Sequence, residues 1–291
     1  MKTGVIDIGS NSVRMAWVET PLCYGALPHE SLRYSRLAEG ATQTGVLSEA
    51  AVLRTADAIL SLLDEAEENG AEIKRISATS ALREAQNRDV AKTMLEEKIG
   101  HDITILDGRE EARYSYKGAT YGLPSQGRTL LVLDVGGGSS ELCWGQEEGQ
   151  SVSVPVGAVR LKENAELIGN LSQALRPLTQ KAPKGSGVAL VGVGGTLTTM
   201  AALYEGMQDY DARMIHQMSY GYEGIEQINN ILKDMPMEKR LEFPSLASGR
   251  ADIITQGLDI ALEVMRELRA EIITVSTTDL LWGQLTELID A

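Results

Sequence analysis

The chain has 291 residues, of which 43% are hydrophobic and 23% charged, as in a globular protein with room for two domains. Its formal net charge of −14 argues against nucleic acid or an anionic membrane surface as the main partner. The sequence shows no signal-peptide pattern and no apolar run of roughly 20 residues. We expect a soluble cytoplasmic protein in which Cys23 and Cys143, both among apolar residues, are buried free thiols.

The first half of the chain is predicted to alternate strands and helices. Ser48 is typical of a helix N-cap, and the apolar spacing that follows predicts an amphipathic helix ending at Asn69 and Gly70. The predicted elements are strands at 4–8, 13–18 and 32–36, a loop at 40–45, a helix at 49–69, a strand at 73–78, a helix at 88–99, a strand at 103–106 and a helix at 109–121.

The segment 122–127, rich in Gly, Pro and Ser, is the best candidate for a domain boundary. We expect a first domain at 1–124 and a second at 125–291, whose terminal helix is free to pack back on the first. The second half is predicted to contain strands at 130–135, 141–144 and 151–155, a helix at 159–168, a loop at 177–187, a strand at 188–193, a helix from 194 to 204, helices at 223–234, 237–242 and 249–269, a strand at 272–276 and a helix at 279–290.

One pattern occurs twice: residues 5–17 align with residues 132–144 without a gap. Each copy has an apolar strand that ends in an acid, Asp7 or Asp134, then a glycine and hydroxyl loop and a second strand. Both halves also run through three strands, a helix, a strand and a helix in the same order. The duplication predicts two related domains that close on one phosphorylated ligand.

The two loops supply the candidate phosphate-binding residues. Glycine permits a turn that points several backbone N–H groups inward, and the neighbouring Ser and Asn side chains add donors. A single loop of this kind is more often a plain hairpin turn, but two matching copies with an acid at the same position favour phosphate binding. The candidates are Gly9, Ser10, Asn11, Ser12, Gly136, Gly137, Gly138, Ser139 and Ser140.

Two further features suggest ligands. An ionised carboxylate at the end of an apolar strand is costly unless it is paired, so Asp7 and Asp134 are candidate Mg²⁺ ligands; loop N–H groups that satisfy them are the alternative. Gly194, Gly195 and Thr196 follow a buried strand and open a helix. They are candidates for anion or nucleotide contact from the second domain, although a plain strand-to-helix turn has the same sequence.

Seven blocks occur in order at 6–12, 78–87, 108–113, 134–142, 154–161, 192–196 and 250–252. Together they resemble the exopolyphosphatase/guanosine pentaphosphate phosphatase (Ppx/GppA) family, a branch of the actin, sugar-kinase and Hsp70 superfamily. The resemblance spans essentially the whole chain. It implies an α/β fold of two ribonuclease-H-like domains with an interdomain cleft.

The resemblance also implies roles for individual residues. By pattern alone, Glu110 and Glu111 are surface acids in a helical first turn. The resemblance makes Glu111 the catalytic glutamate, Glu141 a second functional glutamate and Arg83 an arginine that faces the cleft. Glu141 joins the two aspartates as a candidate Mg²⁺ ligand, and its role is not separable from that of Asp134.

The implied activity is Mg²⁺-dependent hydrolysis of a terminal phosphoanhydride. Short inorganic polyphosphate is the first-choice substrate, and pppGpp, which would give ppGpp, is the second. A nucleotide or alarmone sensor with little turnover is the rival from another class, and a kinase or an actin-like polymer on the same architecture is a third. A homodimer is plausible for the family.

The sequence departs from the family pattern in three respects. Many members continue into a helical C-terminal region, without which processive digestion of long polyphosphate is in doubt. The turn at 276–283 has a shifted acid, Asp279, and lacks a glycine. The net negative charge suits a polyanion poorly unless basic residues collect locally; the candidates are Arg33, Arg36, Arg83, Arg88, Arg113, Arg160, Lys162 and Arg250.

Overall fold

The computed structural model describes residues 1–22, 27–147, 149–185 and 187–290. Its first sheet has five strands in the order β3-β2-β1-β4-β5. The strands are β1 (Lys2–Ile8), β2 (Ser12–Glu19), β3 (His29–Tyr34), β4 (Ala71–Ala78) and β5 (Thr104–Ile105).

The prediction for Cys23 lies outside the described residues, whereas Cys143 is buried with a free thiol.

The described residues of this half of the chain form five helices. Ser48 caps the second of them as predicted, because its hydroxyl oxygen accepts a hydrogen bond from the Ala51 N–H at 3.2 Å. The predicted loop at 40–45 contains a one-turn helix. The helices are α1 (Ala41–Thr44), α2 (Glu49–Glu68), α3 (Ser80–Glu84), α4 (Arg88–Ile99) and α5 (Gly108–Ala119).

The second sheet repeats the first. Its six strands lie in the order β10-β11-β9-β6-β7-β8, so β6, β7, β8 and β9 occupy the places of β1, β2, β3 and β4. The strands are β6 (Thr129–Val135), β7 (Ser140–Cys143), β8 (Ser151–Val154), β9 (Val188–Val193), β10 (Ser219–Gly221) and β11 (Ile272–Val275). The chain therefore has the predicted fold class, two α/β units of ribonuclease-H-like topology.

The helices of the second half differ from the predicted ones in several places. The predicted helix at 159–168 is two helices, since Asn164 ends the first and caps the second through a bond from Leu167 N–H at 3.1 Å. The predicted helix at 249–269 begins at Ile254. The helices are α6 (Ala158–Glu163), α7 (Ala165–Gly169), α8 (Leu171–Gln180), α9 (Gly194–Tyr204), α10 (Ala212–Ile215), α11 (Tyr222–Asp234), α12 (Met237–Arg240), α13 (Ile254–Leu268) and α14 (Leu280–Asp290).

The prediction that a loop begins at Pro177 is wrong, because α8 continues through this proline to Gln180. Proline removes one helical hydrogen bond. Leu175 and Leu178, on either side of it, are fully buried in the second core. Burial of this apolar face outweighs the local preference that the sequence signals.

Each sheet has its own core, and the terminal helix joins the two halves. Ile6 and Ile8 of β1 pack in the core that includes α2 and α4, whereas Val5 faces the opposite way and contacts Trp282 of α14. The terminal helix thus packs on the first sheet although it follows the second one in sequence. In the described part of the chain, no helix is both long and apolar enough to cross a membrane.

Two glycines allow α5 and α14 to cross closely. A Cβ atom added to Gly118 would lie 1.8 Å from the Asp279 carbonyl oxygen, and one added to Gly283 would lie 2.0 Å from that of Tyr114. Neither helix can move aside without opening the core around Trp282. This crossing sets where α14 begins and therefore where Asp279 lies.

We predict that Gly118→Ala lowers the free energy of unfolding by about 1–3 kcal/mol, the usual cost of overpacking. Urea unfolding measures this change. Gly169→Ala is the control, because an added Cβ there meets nothing within 4 Å. A Gly118→Ala variant as stable as the wild type would contradict the described crossing.

Candidate active site

The two predicted loops are the same turn built twice. In the first, the Gly9 N–H donates to the Ser12 carbonyl at 3.0 Å, and in the second, the Gly136 N–H donates to the Ser139 carbonyl at 3.0 Å. A Cβ added to either glycine would lie 3.1 Å from that carbonyl oxygen. The duplication seen in the sequence is therefore a duplication of backbone geometry.

We call the half of the chain that contains the first sheet the first lobe and the half that contains the second sheet the second lobe. The carbonyl groups of the first loop are hydrogen-bonded to backbone N–H groups of the first lobe. The carbonyls of Ser10 and Asn11 accept from the backbone N–H groups of Ala38 and Arg36, each at 2.9 Å. In a trans peptide the N–H of the next residue points opposite to the carbonyl. The N–H groups of residues 11 and 12 therefore point to the other side of the loop.

The second loop is fixed in the same way by α6. The carbonyls of Gly136 and Gly137 accept from N–H groups at the start of this helix at 2.9 Å, and that of Gly138 accepts from Arg160 Nε at 3.0 Å. By the same argument, the N–H groups of residues 137–139 point away from α6. The two rows of donors belong to the loops that line one cavity of about 100 Å³.

The loops approach each other closely. A Cβ added to Gly137 would lie 3.0 Å from Ser10 Cβ, and one added to Gly138 would lie 2.6 Å from Ser80 Oγ. Ser10 and Ser80 also share a hydrogen bond of 3.1 Å between their hydroxyl groups. Only glycine permits this contact between the second loop and the first lobe.

The structure places Ser140 away from the cavity, which contradicts its prediction as a phosphate contact. Its side chain is fully buried and donates to the Val156 carbonyl at 2.6 Å. Gly138 lines a neighbouring cavity, while the remaining loop candidates line the one between the loops. The reason is strand alternation, which turns the side chain of the first β7 residue to the core.

Asp7 and Asp134 both line the cavity, one from each lobe. Asp7 Oδ2 lies 3.6 Å from Arg14 Nη2, and its Oδ1 is buried without a hydrogen-bond partner among the described residues. Asp134 Oδ2 accepts from the Ser115 hydroxyl at 3.0 Å. Burial raises the pKa of each carboxyl to about 6, against the opposing effect of Arg14.

Arg14 and Asp279 were not predicted as site residues. Arg14 forms an ion pair with Asp279, which is 3% exposed and directly precedes α14. Asp279 Oδ1 also accepts from the Leu281 N–H at 3.1 Å. The shifted acid of the 276–283 turn therefore holds the guanidinium that neighbours Asp7.

Glu111 lines the cavity from the first turn of α5. Asp107 caps this helix with Glu110 in a capping box, which leaves Glu111 on the buried side. Its Oε2 accepts from Arg83 Nη1 at 2.7 Å. Burial raises the pKa of Glu111 to about 7, although Arg83 opposes the rise.

Glu141 lies beside Asp134, since these residues are opposite each other on β6 and β7. It is 2% exposed, and its Oε1 accepts from the Ser153 hydroxyl at 2.7 Å. Burial raises the pKa of Glu141 well above its usual range, and Glu111 adds to the rise. Glu141 is therefore a neighbour of Asp134 but is not among the residues that line the cavity.

Three acids do not converge on one point. In the stretches that the structure describes, no three His, Cys, Asp or Glu side chains are grouped as a metal site would require. The Mg²⁺ ligand set of Asp7, Asp134 and Glu141 stays a prediction. Asp7 and Asp134 line the cavity, whereas Glu141 does not and accepts from the Ser153 hydroxyl.

The third glycine turn closes the cavity from the second lobe. Gly194 has φ 80°, and an added Cβ would lie 2.6 Å from Asp134 Oδ1. Thr196 donates its hydroxyl to the Val135 carbonyl at 3.3 Å. Gly195 lines the cavity, and its carbonyl accepts from Arg250 Nη1 at 2.9 Å.

Most predicted basic residues have acidic partners. Arg250 is the exception among the candidates, since its guanidinium donates to the Gly195 carbonyl and the Thr199 hydroxyl. The others each lie within 4 Å of a carboxylate oxygen, so they do not form an unpaired basic patch. These are Arg33, Arg36, Arg83, Arg88, Arg113, Arg160 and Lys162.

The fold and the paired loops define a two-lobed α/β protein with a cavity between duplicated glycine-rich loops. Residues 27–290 match the model of the Ppx/GppA phosphatase family, so the chain belongs to this family and is a hydrolase.

Named relatives and solved structures agree with the family. Exopolyphosphatase 2 of Mycobacterium tuberculosis is 33% identical over 97% of each chain. A guanosine-5′-triphosphate,3′-diphosphate pyrophosphatase of Aliivibrio fischeri is 28% identical over 98% of this chain but 59% of its own length. The crystal structure of an Aquifex aeolicus Ppx/GppA family member is 27% identical with a TM-score of 0.76, covering 100% of this chain and 98% of that one.

We predict that stability without divalent cations falls as the pH rises from 4 to 7. The carboxyl pKa of Asp134 is about 6 in the folded protein against 3.8 in a model peptide, so the folded state retains its proton over this window. Asp134→Asn should flatten the profile by about 2–3 kcal/mol in the free energy of unfolding. Denaturant titrations in a chelator measure it, with Asp89→Asn as the exposed control.

A wild-type profile parallel to that of Asp134→Asn would show that Asp134 has an ordinary pKa in the folded state. A profile that Asp89→Asn flattens equally would assign the slope to general surface charge instead.

Proposed function

We propose that the protein releases the terminal phosphate from inorganic polyphosphate, with short chains as preferred substrates and Mg²⁺ as cofactor. The observation that carries this proposal is the cavity between the two loops. The carbonyl groups of each loop are hydrogen-bonded to the lobe behind it, so the N–H groups are left free to face a ligand. Such a pair of backbone cradles suits a tetrahedral anion approached from two lobes. Glu111 lies on the wall of the same cavity, where a water molecule can be oriented.

In this mechanism the loops bind the terminal phosphoryl group. N–H groups of residues 11–12 and 137–139 donate to its oxygens, and the Ser10 and Ser12 side chains line the same space. Phosphoryl transfer needs positioning and stabilisation of charge more than covalent chemistry. Fixed backbone donors supply that stabilisation without reorganisation during the reaction.

Glu111 orients the attacking water and accepts its proton. A carboxyl whose pKa is raised by burial to about 7 is well matched to proton transfer near neutral pH. Arg83 holds one carboxylate oxygen through the bond to Oε2 and leaves the other for water. Its guanidinium also places positive charge beside the Glu111 carboxylate.

The cavity lining contains buried carboxylates that could hold Mg²⁺. Among the described residues, Asp7 Oδ1 is a buried carboxylate oxygen without a hydrogen-bond partner, and Asp134 lines the same cavity. Mg²⁺ is commonly held by one or two carboxylates together with waters and substrate phosphates, so a three-acid cage is not required. When bound, the ion would neutralise charge on the phosphate oxygens.

Polyphosphate is placed first because Exopolyphosphatase 2 matches this chain along nearly its whole length. A pppGpp 5′-phosphohydrolase is the second candidate. It is favoured by an adjoining cavity of about 280 Å³ that shares Arg14, Gly194, Gly195 and Arg250 with the first and adds Tyr34. An aromatic ring beside two guanidinium groups suits a nucleotide better than it suits a bare phosphate chain.

We predict that the protein with Mg²⁺ releases phosphate from tripolyphosphate and that Glu111→Gln lowers kcat by about 10²–10⁴. The glutamine keeps the shape of the side chain but cannot accept the proton. Glu97→Gln, on the exposed face of α4, is the matched control. Free phosphate is measured for short polyphosphate, long polyphosphate, pppGpp and ATP.

Each alternative has its own outcome in this assay. Release from pppGpp alone would make the second candidate correct, and binding without release would support a sensor. Equal rates for Glu111→Gln and wild type would remove the role given to Glu111.

We predict that Mg²⁺ stabilises the wild type at pH 8 and that Asp7→Asn abolishes the effect. A ligand at about 100 times its Kd contributes about 2.7 kcal/mol to the free energy of unfolding. Thermal unfolding with and without Mg²⁺ measures the shift, with Asp89→Asn as control. Equal shifts in wild type and Asp7→Asn would place any Mg²⁺ site elsewhere.

A further inference from the structure

Glu84 bridges the two lobes beside the site. Its Oε2 lies 2.5 Å from Arg160 Nη2, and its Oε1 lies 3.7 Å from Arg83 Nη2. Glu84 and Arg83 belong to α3 in the first lobe, while Arg160 belongs to α6 in the second. No other acid lies within 4 Å of Arg160 among the pairs of the described residues.

Arg83 links Glu84 to Glu111, because its guanidinium lies within 4 Å of both carboxylates. Its Nη1 donates to Glu111 Oε2 at 2.7 Å and to the Leu106 carbonyl at 3.1 Å. Glu84 approaches the other terminal nitrogen, so the guanidinium is held between two carboxylates. Loss of Glu84 would free one side of Arg83 and allow it to turn about the remaining contacts.

Arg160 carries the effect in the other direction. Its Nε donates to the Gly138 carbonyl at 3.0 Å while its Nη2 meets Glu84. The orientation of the Gly138 carbonyl sets that of the next N–H, the Ser139 donor of the second loop. This donor is therefore fixed when Glu84 of the opposite lobe holds the guanidinium.

We propose that Glu84 is a positioning residue that couples contact between the lobes to the alignment of Glu111 and of the second phosphate-binding loop. One carboxylate joins two arginines from opposite lobes, and each arginine orients a different part of the site. The coupling makes the aligned site a property of the closed cleft. This inference rests on the proposed function.

The kinetic test compares Glu84→Gln, Arg160→Gln and the double variant with wild type on tripolyphosphate and pppGpp. Misplacement of groups around the reacting phosphate should lower kcat by about 10- to 100-fold. KM should stay near the wild-type value, since the cradle still binds substrate before the reaction. The double variant should lose less than the product of the two single losses, because both remove one shared contact.

Glu65→Gln is the matched control, since Glu65 also pairs with an arginine, Arg33 at 2.7 Å, and does not line the cavity between the loops. Arg160→Lys adds a second comparison, because lysine keeps the charge toward Glu84 but lacks the second donor for the Gly138 carbonyl. We expect it to recover part of the activity that Arg160→Gln loses.

A second measurement does not depend on turnover. The N–H groups of residues 158–160 donate to the carbonyls of Gly136 and Gly137, so their hydrogen exchange reports on the order of the loop. Exchange of these amides should be faster in Glu84→Gln than in wild type and unchanged in Glu65→Gln.

Equal kcat and equal exchange in Glu84→Gln and Glu65→Gln would overturn the coupling, as would single losses that multiply. Wild-type protein that hydrolyses neither substrate would refute the proposed function instead, and the exchange comparison would still decide whether Glu84 orders the loop.

Discussion

The orientation of a few peptide groups determines what this molecule can bind. In both halves a glycine N–H donates to a serine carbonyl at 3.0 Å and closes a turn. The neighbouring carbonyls accept hydrogen bonds from the lobe behind the loop. Planar trans peptides then leave the next N–H groups on the opposite side. A concentration of backbone donors on two facing loops favours an anion, and the contact of Gly138 with Ser10 and Ser80 sets how far apart the loops lie.

The two halves differ in the charge of the residue that lies beside the aspartate, and this makes the two sides of the site unlike. The residue opposite the strand-end aspartate is Arg14 in the first half and Glu141 in the second. The first aspartate therefore has a cation beside it, while the second has another acid. With Glu111 and Asp279 nearby, carboxylates outnumber the guanidinium groups of Arg14 and Arg83. Burial raises the pKa of the Asp7, Asp134 and Glu111 carboxyls, and the neighbouring acids add to the rise. This excess of carboxylates favours a divalent cation as the remaining partner.

Sequence patterns within single helices and strands predicted much of the fold. Contacts between residues that are far apart in the sequence could not be predicted from such patterns. The helix at 88–99 and the strand at 188–193 have their predicted bounds, because glycines and apolar runs mark their ends. Pro177 misled the prediction, since burial of one helix face is a tertiary effect. The repeat indicated both loops and both aspartates. Glu111 needed the family resemblance because an acid in a helical first turn is ordinary, and Arg14 was missed because its partner Asp279 lies at the far end of the chain.

A crystal structure with orthovanadate or tripolyphosphate tests most directly the claim that both loops hold one phosphoryl group. The account predicts a single anion between the loops, with N–H groups of residues 11–12 and 137–139 at about 2.7–3.2 Å from its oxygens. The Glu111 carboxylate should face it from the side opposite the leaving group. An anion bound to one loop alone, or at the Gly194 turn with the cavity between the loops empty, would contradict the account.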